Sequence, residues 1–298
     1  MRVAVTGSHG LIGRHVVDAL RGRGDTVVRV VRGSPGAGEV SWDPPAGRLD
    51  HDALDTDAVV HLAGAGIASR RWNEAHKRAV RDSRVQSTSL LADEIARRRP
   101  AQRPRVLVSG SAVGVYGDRK DEVLSESSAS GTGFLARLCQ EWEAAARPAA
   151  DAGVRTVWLR TGIVQAGDGG VLRPQVPLFK AGLGARLGSG RQWLSWVTID
   201  DEVGAILHAL DNDAVAGPLN AVAPAPVTNA AYTAALARAL NRPALLSVPA
   251  VALRLALGSE MADEMLLASQ RVMPEVLAST GYQWCQPQLE PALRHLIG

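Results

Sequence analysis

The first residues able to do chemistry stand at the start of the chain: Gly7-Ser8-His9-Gly10-Leu11-Ile12-Gly13, a G-x-x-G-x-x-G run between an apolar stretch and a helical pattern. In that context Gly7 permits a tight turn, Gly10 lets backbone approach a pyrophosphate, and Gly13 lets helix pack on strand. The helix start adds free N–H groups and the positive end of its dipole. About twenty residues on, a dinucleotide site reads the ribose with an acidic side chain when the ligand is NAD. Here the second apolar run ends at Arg32. A guanidinium matches a 2′-phosphate in charge and fork geometry, so NADP(H) is expected over NAD(H). Further along, Gly188-Ser189-Gly190-Arg191-Gln192-Trp193 joins permissive backbone to a guanidinium, as an anionic or carbonyl-bearing substrate group would require. Trp72, Trp193 and Trp196 offer flat apolar walls for a base, a sugar or a ring, or alternatively core.

The elements that must hold these residues follow from periodicity. Residues 3–6, 27–31, 58–62, 106–109 and 154–159 are short apolar runs of the kind that become strands buried on both faces. Residues 11–21 repeat apolar positions at spacings of three and four, and residues 134–150 are a long helical stretch. Strand, helix, strand in this order predicts an α/β fold, a parallel sheet covered by helices with right-handed crossovers. The division expected is a dinucleotide-binding domain over 1–165 and a smaller, mostly helical substrate region over 166–298, with some segments returning to the first domain. Helices are expected over 201–210, 229–240, 249–257 and 263–272. Asp200-Asp201 reads as a cap and first turn, and 167–170 as a flexible lid.

Bulk properties remove other classes. The chain has 298 residues, 46% apolar and 21% charged, which excludes disorder, collagen and coiled coil. Cys139 and Cys285 form neither a disulfide framework nor a metal-ligand spacing, and the seven histidines are scattered, so no metal is expected. A net charge of +3 and short arginine clusters at 70–71 and 97–99 argue against nucleic acid. No apolar run of about 18 residues argues for a membrane span. The strand pattern beginning at once, without a signal segment, gives the cytoplasm as the expected location.

Several stretches occur together: TGSHGLIGR at 6–14, HLAG at 61–64, SGSAVGVYGD at 109–118, LRTGIV at 159–164 and GSGRQWLSWVTIDD at 188–201. In combination the chain resembles the extended short-chain dehydrogenase/reductase superfamily. Within it, the chain resembles the atypical nucleoside-diphosphate-sugar epimerase-like (SulA-like) subgroup. The resemblance implies a Rossmann-type doubly wound sheet of about seven parallel strands and a small C-terminal substrate domain. It also implies cofactor contacts from Gly7, Gly10, Leu11, Ile12 and Gly13, and from Leu62, Ala63 and Gly64. Trp42 falls where the family lines the adenine pocket, though a core tryptophan reads the same way. A homodimer through helices flanking the sheet is left open.

The superfamily's proton chemistry uses Ser, Tyr and Lys, with Tyr-x-x-x-Lys on one helix face. A phenol of reference pKa about 10 needs a neighbouring cation to work near neutrality. Only three tyrosines and three lysines exist here. Tyr116 alone has a lysine four residues on, Lys120, but Gly117 and Asp118 break any helix between them. By rough alignment Leu135 and Cys139 stand in the two catalytic places, so the dyad is missing, and Arg137 is the nearby cation. Ser111 keeps its usual place, and Ser111 and Tyr116 are the remaining acid/base candidates. Two functions follow. One is an NADP(H)-dependent oxidoreductase or epimerase-like enzyme on a small polar substrate, nucleotide-sugars among the candidates. The other is a non-catalytic NADP(H)-binding module reporting redox state to a protein partner.

Overall fold

Runs of β-branched residues bounded by glycine become strands with both faces covered: Val3, Val5, Val59 and Val60 are wholly buried. The computed structural model describes residues 1–297. Its main sheet contains β1 (Arg2–Thr6), β2 (Thr26–Arg32), β3 (Glu39–Asp43), β4 (Arg48–Leu49), β5 (Ala58–His61), β6 (Val106–Ala112), β7 (Arg155–Thr161) and β8 (Gly217–Ala221). The spatial order is β8-β7-β6-β5-β1-β2-β3-β4. β1 pairs in parallel with β2 and β5, with Thr6 opposite both Val30 and His61. β2 pairs in parallel with β3, bringing Arg32 opposite Trp42. The eighth strand beyond the seven implied by resemblance is the two-residue β4, antiparallel to β3 at the edge.

Helix α1 (Leu11–Gly22) joins β1 to β2, and α2 (Glu74–Arg97) precedes β6. The stretch expected as one helix over 134–150 divides into α3 (Phe134–Ala145) and α4 (Arg147–Asp151). Pro148 explains the break, because it offers no N–H and its ring collides with the preceding turn.

The chain forms two units that interleave in sequence. The first comprises Met1–Ser111, Leu138–Leu159 and Ala205–Leu219. Its core gathers Ala4, Val30, Trp42, Leu54, Leu91, Ile95 and Leu107. The second comprises Ala112–Arg137, Arg160–Gly204 and residues from Asn220 on. Its core gathers Leu172, Phe179, Trp196, Tyr232, Leu236, Leu289 and Leu293.

Three expectations change in the second unit. Residues 263–272 are helical only over Asp263–Leu267, and Arg271–Val272 instead pairs in parallel with Val123–Leu124. Ser195 Oγ donates to the Gln270 carbonyl and accepts from the Val272 N–H, giving that backbone partners a helix would otherwise provide. The lid expected at 167–170 is a tight hairpin, with Gly169–Gly170 antiparallel to Ile163–Ala166. Gly167 there packs directly on the Leu296 carbonyl, which leaves no room for a side chain. Asp201 is no simple first-turn residue either. Thr198 Oγ1 caps the Asp201 N–H, while the buried Asp201 carboxylate accepts from Thr198, Tyr282, Cys285 and Gln286. Among the described residues, no helix is long and apolar enough to cross a membrane.

Candidate functional site

The glycine run turns sharply where β1 ends. Gly7 has φ +66°, and a Cβ there would stand 2.7 Å from the Leu62 carbonyl carbon. A Cβ on Gly13 would run into the Gly7 carbonyl, so helix and turn can approach this closely only as glycines. Gly10 is the N-cap of α1, with no side-chain cap and no acidic residue in the first turn. The first-turn N–H groups therefore keep their capacity for an anion.

Behind the loop lies a buried polar relay. Thr6 Oγ1 accepts from the Leu62 and Ala63 N–H groups and donates to His61 Nδ1 at 2.7 Å. The opposite ring nitrogen, Nε2, then carries the proton and donates to Thr88 Oγ1 at 2.9 Å and to Ser87 Oγ at 3.2 Å. Thr88 Oγ1 also accepts from Trp142 Nε1. Burial drives the His61 pKa down to about 3, so the imidazole is neutral. The relay ties the ends of β1 and β5 to α2 and α3, holding 62–64 against the glycine turn.

These parts enclose a cleft of about 730 Å³ at the C-terminal edge of the sheet. Gly7, Gly10, Arg32, Trp42, Leu62, Ala63 and Gly64 line it. Leu11 and Ile12 lie beyond it as half-buried residues of α1, and Gly13 is buried beneath the turn. Trp42 is 4% exposed and meets the His61 ring edge-on at 5.8 Å, so it serves core and cleft wall at once. The two arginines of β2 differ. Arg29 is ion-paired to Glu39 at 3.1 Å, whereas the exposed Arg32 guanidinium has no partner among the described residues. Ser83, part of the Ser83-Arg84 pair that the subgroup resemblance marks, lines the cleft as well; sequence reasoning did not find Pro44, Pro45 or Gln86, which also line it and come from segments with no motif.

Ser111, at the end of β6, is 4% exposed and donates to Glu143 Oε1 at 2.7 Å. Glu143 was not singled out, although it follows Cys139 by one helical spacing on α3 and shares its face. Tyr116 behaves differently. It closes a short 3₁₀ turn, Val113–Tyr116, and is wholly buried. Its hydroxyl donates to Asn220 Oδ1 at 2.7 Å and accepts from Arg160 Nη1 at 2.9 Å. Burial raises its pKa, with Arg160 opposing the shift. Lys120 is exposed with φ +54°, off any helix shared with Tyr116.

In the second unit the block 188–193 is largely bound up in its own packing. Gln192 is buried and donates to the Leu187 and Leu266 carbonyls. Trp193 Nε1 donates to Asp121 at 2.9 Å, and the Arg271 guanidinium lies 4.3 Å from its ring centre. Arg191 is exposed, and its guanidinium bonds nothing among the described residues. Trp196 is wholly buried and donates to the Ala225 carbonyl, which makes it core rather than a substrate wall. Trp72, in the first unit, is half-buried and donates to the Ile67 carbonyl at 3.0 Å.

The family described as NAD dependent epimerase/dehydratase matches residues 3–221, and a domain of unknown function, DUF1731, matches 248–296. Epimerase family protein MT2273 of Mycobacterium tuberculosis is 48% identical, covering 98% of this chain and 96% of its own. Human epimerase family protein SDR39U1 is 38% identical over the whole of both chains. The crystal structure of the human protein with NADPH has a TM-score of 0.91 at 36% identity, covering 100% of this chain and 99% of that one.

Proposed function

The chain belongs to the NAD dependent epimerase/dehydratase family, and from that premise we propose that it is an NADP(H)-dependent oxidoreductase acting on a small polar substrate. The observation that carries this reading is the cleft, with a glycine turn at one end of β1 and, at the end of β2, an Arg32 that has no partner among the described residues. The turn accepts a pyrophosphate only because Gly7 and Gly13 lack side chains. Arg32, without a carboxylate of its own, has its fork free for a 2′-phosphate. The human relative's structure with NADPH is in keeping with that choice. Trp42 supplies the flat wall at the adenine end, opposite Arg32 in the register of β2 and β3.

Bound NADP(H) would supply or accept the hydride. The chain's own part is to hold the substrate oxygen and move its proton. Ser111 Oγ gives its hydrogen to Glu143 and so presents free lone pairs, able to accept a proton from a substrate hydroxyl as Glu143 takes the serine's. Tyr116 is a positioning residue in this reading. Its phenol is held by Asn220 and Arg160, and burial moves its titration away from neutrality. Trp72, Arg191 and Trp193 are the substrate-side candidates, of which Arg191 keeps a guanidinium with no partner among the described residues.

Isothermal titration with NADPH and NADH, followed by NADPH oxidation against a panel of carbonyl compounds, tests the proposal. Tighter binding of NADPH is expected, with turnover reduced about 100-fold or more in Ser111→Ala. Preferred binding of NADH would remove the cofactor assignment. NADPH binding without turnover on any compound would leave a binding module in place of an enzyme.

A further inference from the structure

Arg84, on α2, carries a charge that the protein does not neutralise. Its Nη1 donates to the Ala65 carbonyl at 3.0 Å and to the Val80 carbonyl at 3.1 Å. Its guanidinium carbon lies 5.1 Å from the Trp142 ring centre. No carboxylate pairs with it, and its Nε–H and Nη2–H groups make no hydrogen bond among the described residues. Burial disfavours the charge, and the ionisable group acting on it is the thiol of Cys139. Arginine nonetheless stays protonated, so a half-buried cation is left with donors to spare.

Arg84 does not itself line the cleft, but its guanidinium lies directly behind a residue that does. The guanidinium lies against Gly64: a Cβ on Gly64 would stand 3.1 Å from Arg84 Cζ and 3.3 Å from Nε and Nη2. Gly64 lines the cleft just beyond β5. In the sheet order, β5 lies on one side of β1 and β2 on the other. A dinucleotide with its 2′-phosphate at Arg32 and its pyrophosphate at the Gly7 turn must extend its other half towards β5. We propose that Arg84 binds the oxygen atoms of that second half, the ribose hydroxyls and the phosphate next to them, and so anchors the end of the cofactor at which reaction occurs. Arg84 and Arg32 then divide the ligand between them, one reading the half shared by both cofactors and the other the 2′-phosphate.

This inference rests on the cofactor reading above, and binding measurements separate the two. Arg84→Met keeps an apolar stem over Trp142 and loses charge and donors, while Arg84→Lys keeps the charge. Titration calorimetry with NADPH, NADH and adenosine 2′,5′-bisphosphate is run on wild type, both Arg84 variants and Arg32→Ala. Arg84→Met should weaken NADPH and NADH alike, by about 10- to 100-fold, with partial recovery in Arg84→Lys. Its binding of adenosine 2′,5′-bisphosphate, which lacks the second half, should match wild type and so report an intact cleft. Arg32→Ala should weaken NADPH and adenosine 2′,5′-bisphosphate and spare NADH. Wild-type affinity for both dinucleotides in Arg84→Met would overturn the inference, as would an equal loss for all three ligands. Failure of the wild-type protein to bind NADPH would instead remove the cofactor reading itself.

Discussion

Two glycine-rich segments of this chain use the same backbone freedom for opposite ends. At Gly7–Gly13 the missing side chains bring a turn and a helix start together, and the N–H groups exposed there have no capping side chain. At Gly188–Gly190 the residues also take positive φ, 56° and 71°, but the neighbouring Gln192 and Trp193 close on Leu187, Leu266 and Asp121. The first segment leaves backbone polarity unsatisfied and faces a cleft; the second satisfies it internally. Glycine spacing therefore marks where a backbone can bend, and hydrogen-bond accounting decides whether the bend serves a ligand or the fold.

Ligand wall and core coincide at Trp42. Trp42→Ala should cost about 3–5 kcal/mol of stability, read from denaturant unfolding, and should also weaken NADPH. A loss of stability with unchanged affinity would return Trp42 to the core alone.

An effect of comparable size, spread over pH, is expected at Glu202 in the second unit. Its carboxyl is wholly buried, accepts from Thr161 through Oε1, and has no partner at Oε2 among the described residues. Burial pushes its pKa up to about 8 from the ordinary 4.5. The folded state thus holds a proton that the unfolded chain has released between those values. The associated stability is present at low pH and is lost as pH rises towards and through 8, at no more than about 1.4 kcal/mol per pH unit. Melting followed from pH 5 to pH 9 should fall more steeply in wild type than in Glu202→Gln; equal slopes would remove Glu202 as the cause.

The smallest effect belongs to Arg191. Because its guanidinium bonds nothing among the described residues, Arg191→Ala should change stability by less than about 0.5 kcal/mol and leave NADPH binding unaltered, while raising the KM for a turned-over substrate. A melting temperature lowered by several degrees would show that Arg191, like Gln192, serves the fold.

The parts of the site legible in sequence are local. Gly7, Gly10 and Gly13 lie within one turn and one helix start, and Arg32 closes a strand whose end periodicity locates. The partners that give the candidate catalytic residues their character are remote. Glu143 lies 32 residues from Ser111, and Asn220 lies 104 from Tyr116. Tyr116 is a candidate by resemblance, and only the packed chain shows it enclosed with Arg160. The 167–170 segment reads as a lid for a related reason, since glycines carry the same local signature in a flexible loop and in a packed hairpin.

What sequence alone determined was the five central strands and the helix after the first of them, the glycine turn between these two and the cationic end of β2, because each depends on neighbours a few residues apart. What the tertiary structure decided was which polar groups remain unpaired. Arg29 and Arg32 are three positions apart on one strand, yet Glu39 neutralises the first and leaves the second free. Pairing is settled by distance in space, and a buried group's chemistry follows from the partners that folding brings to it.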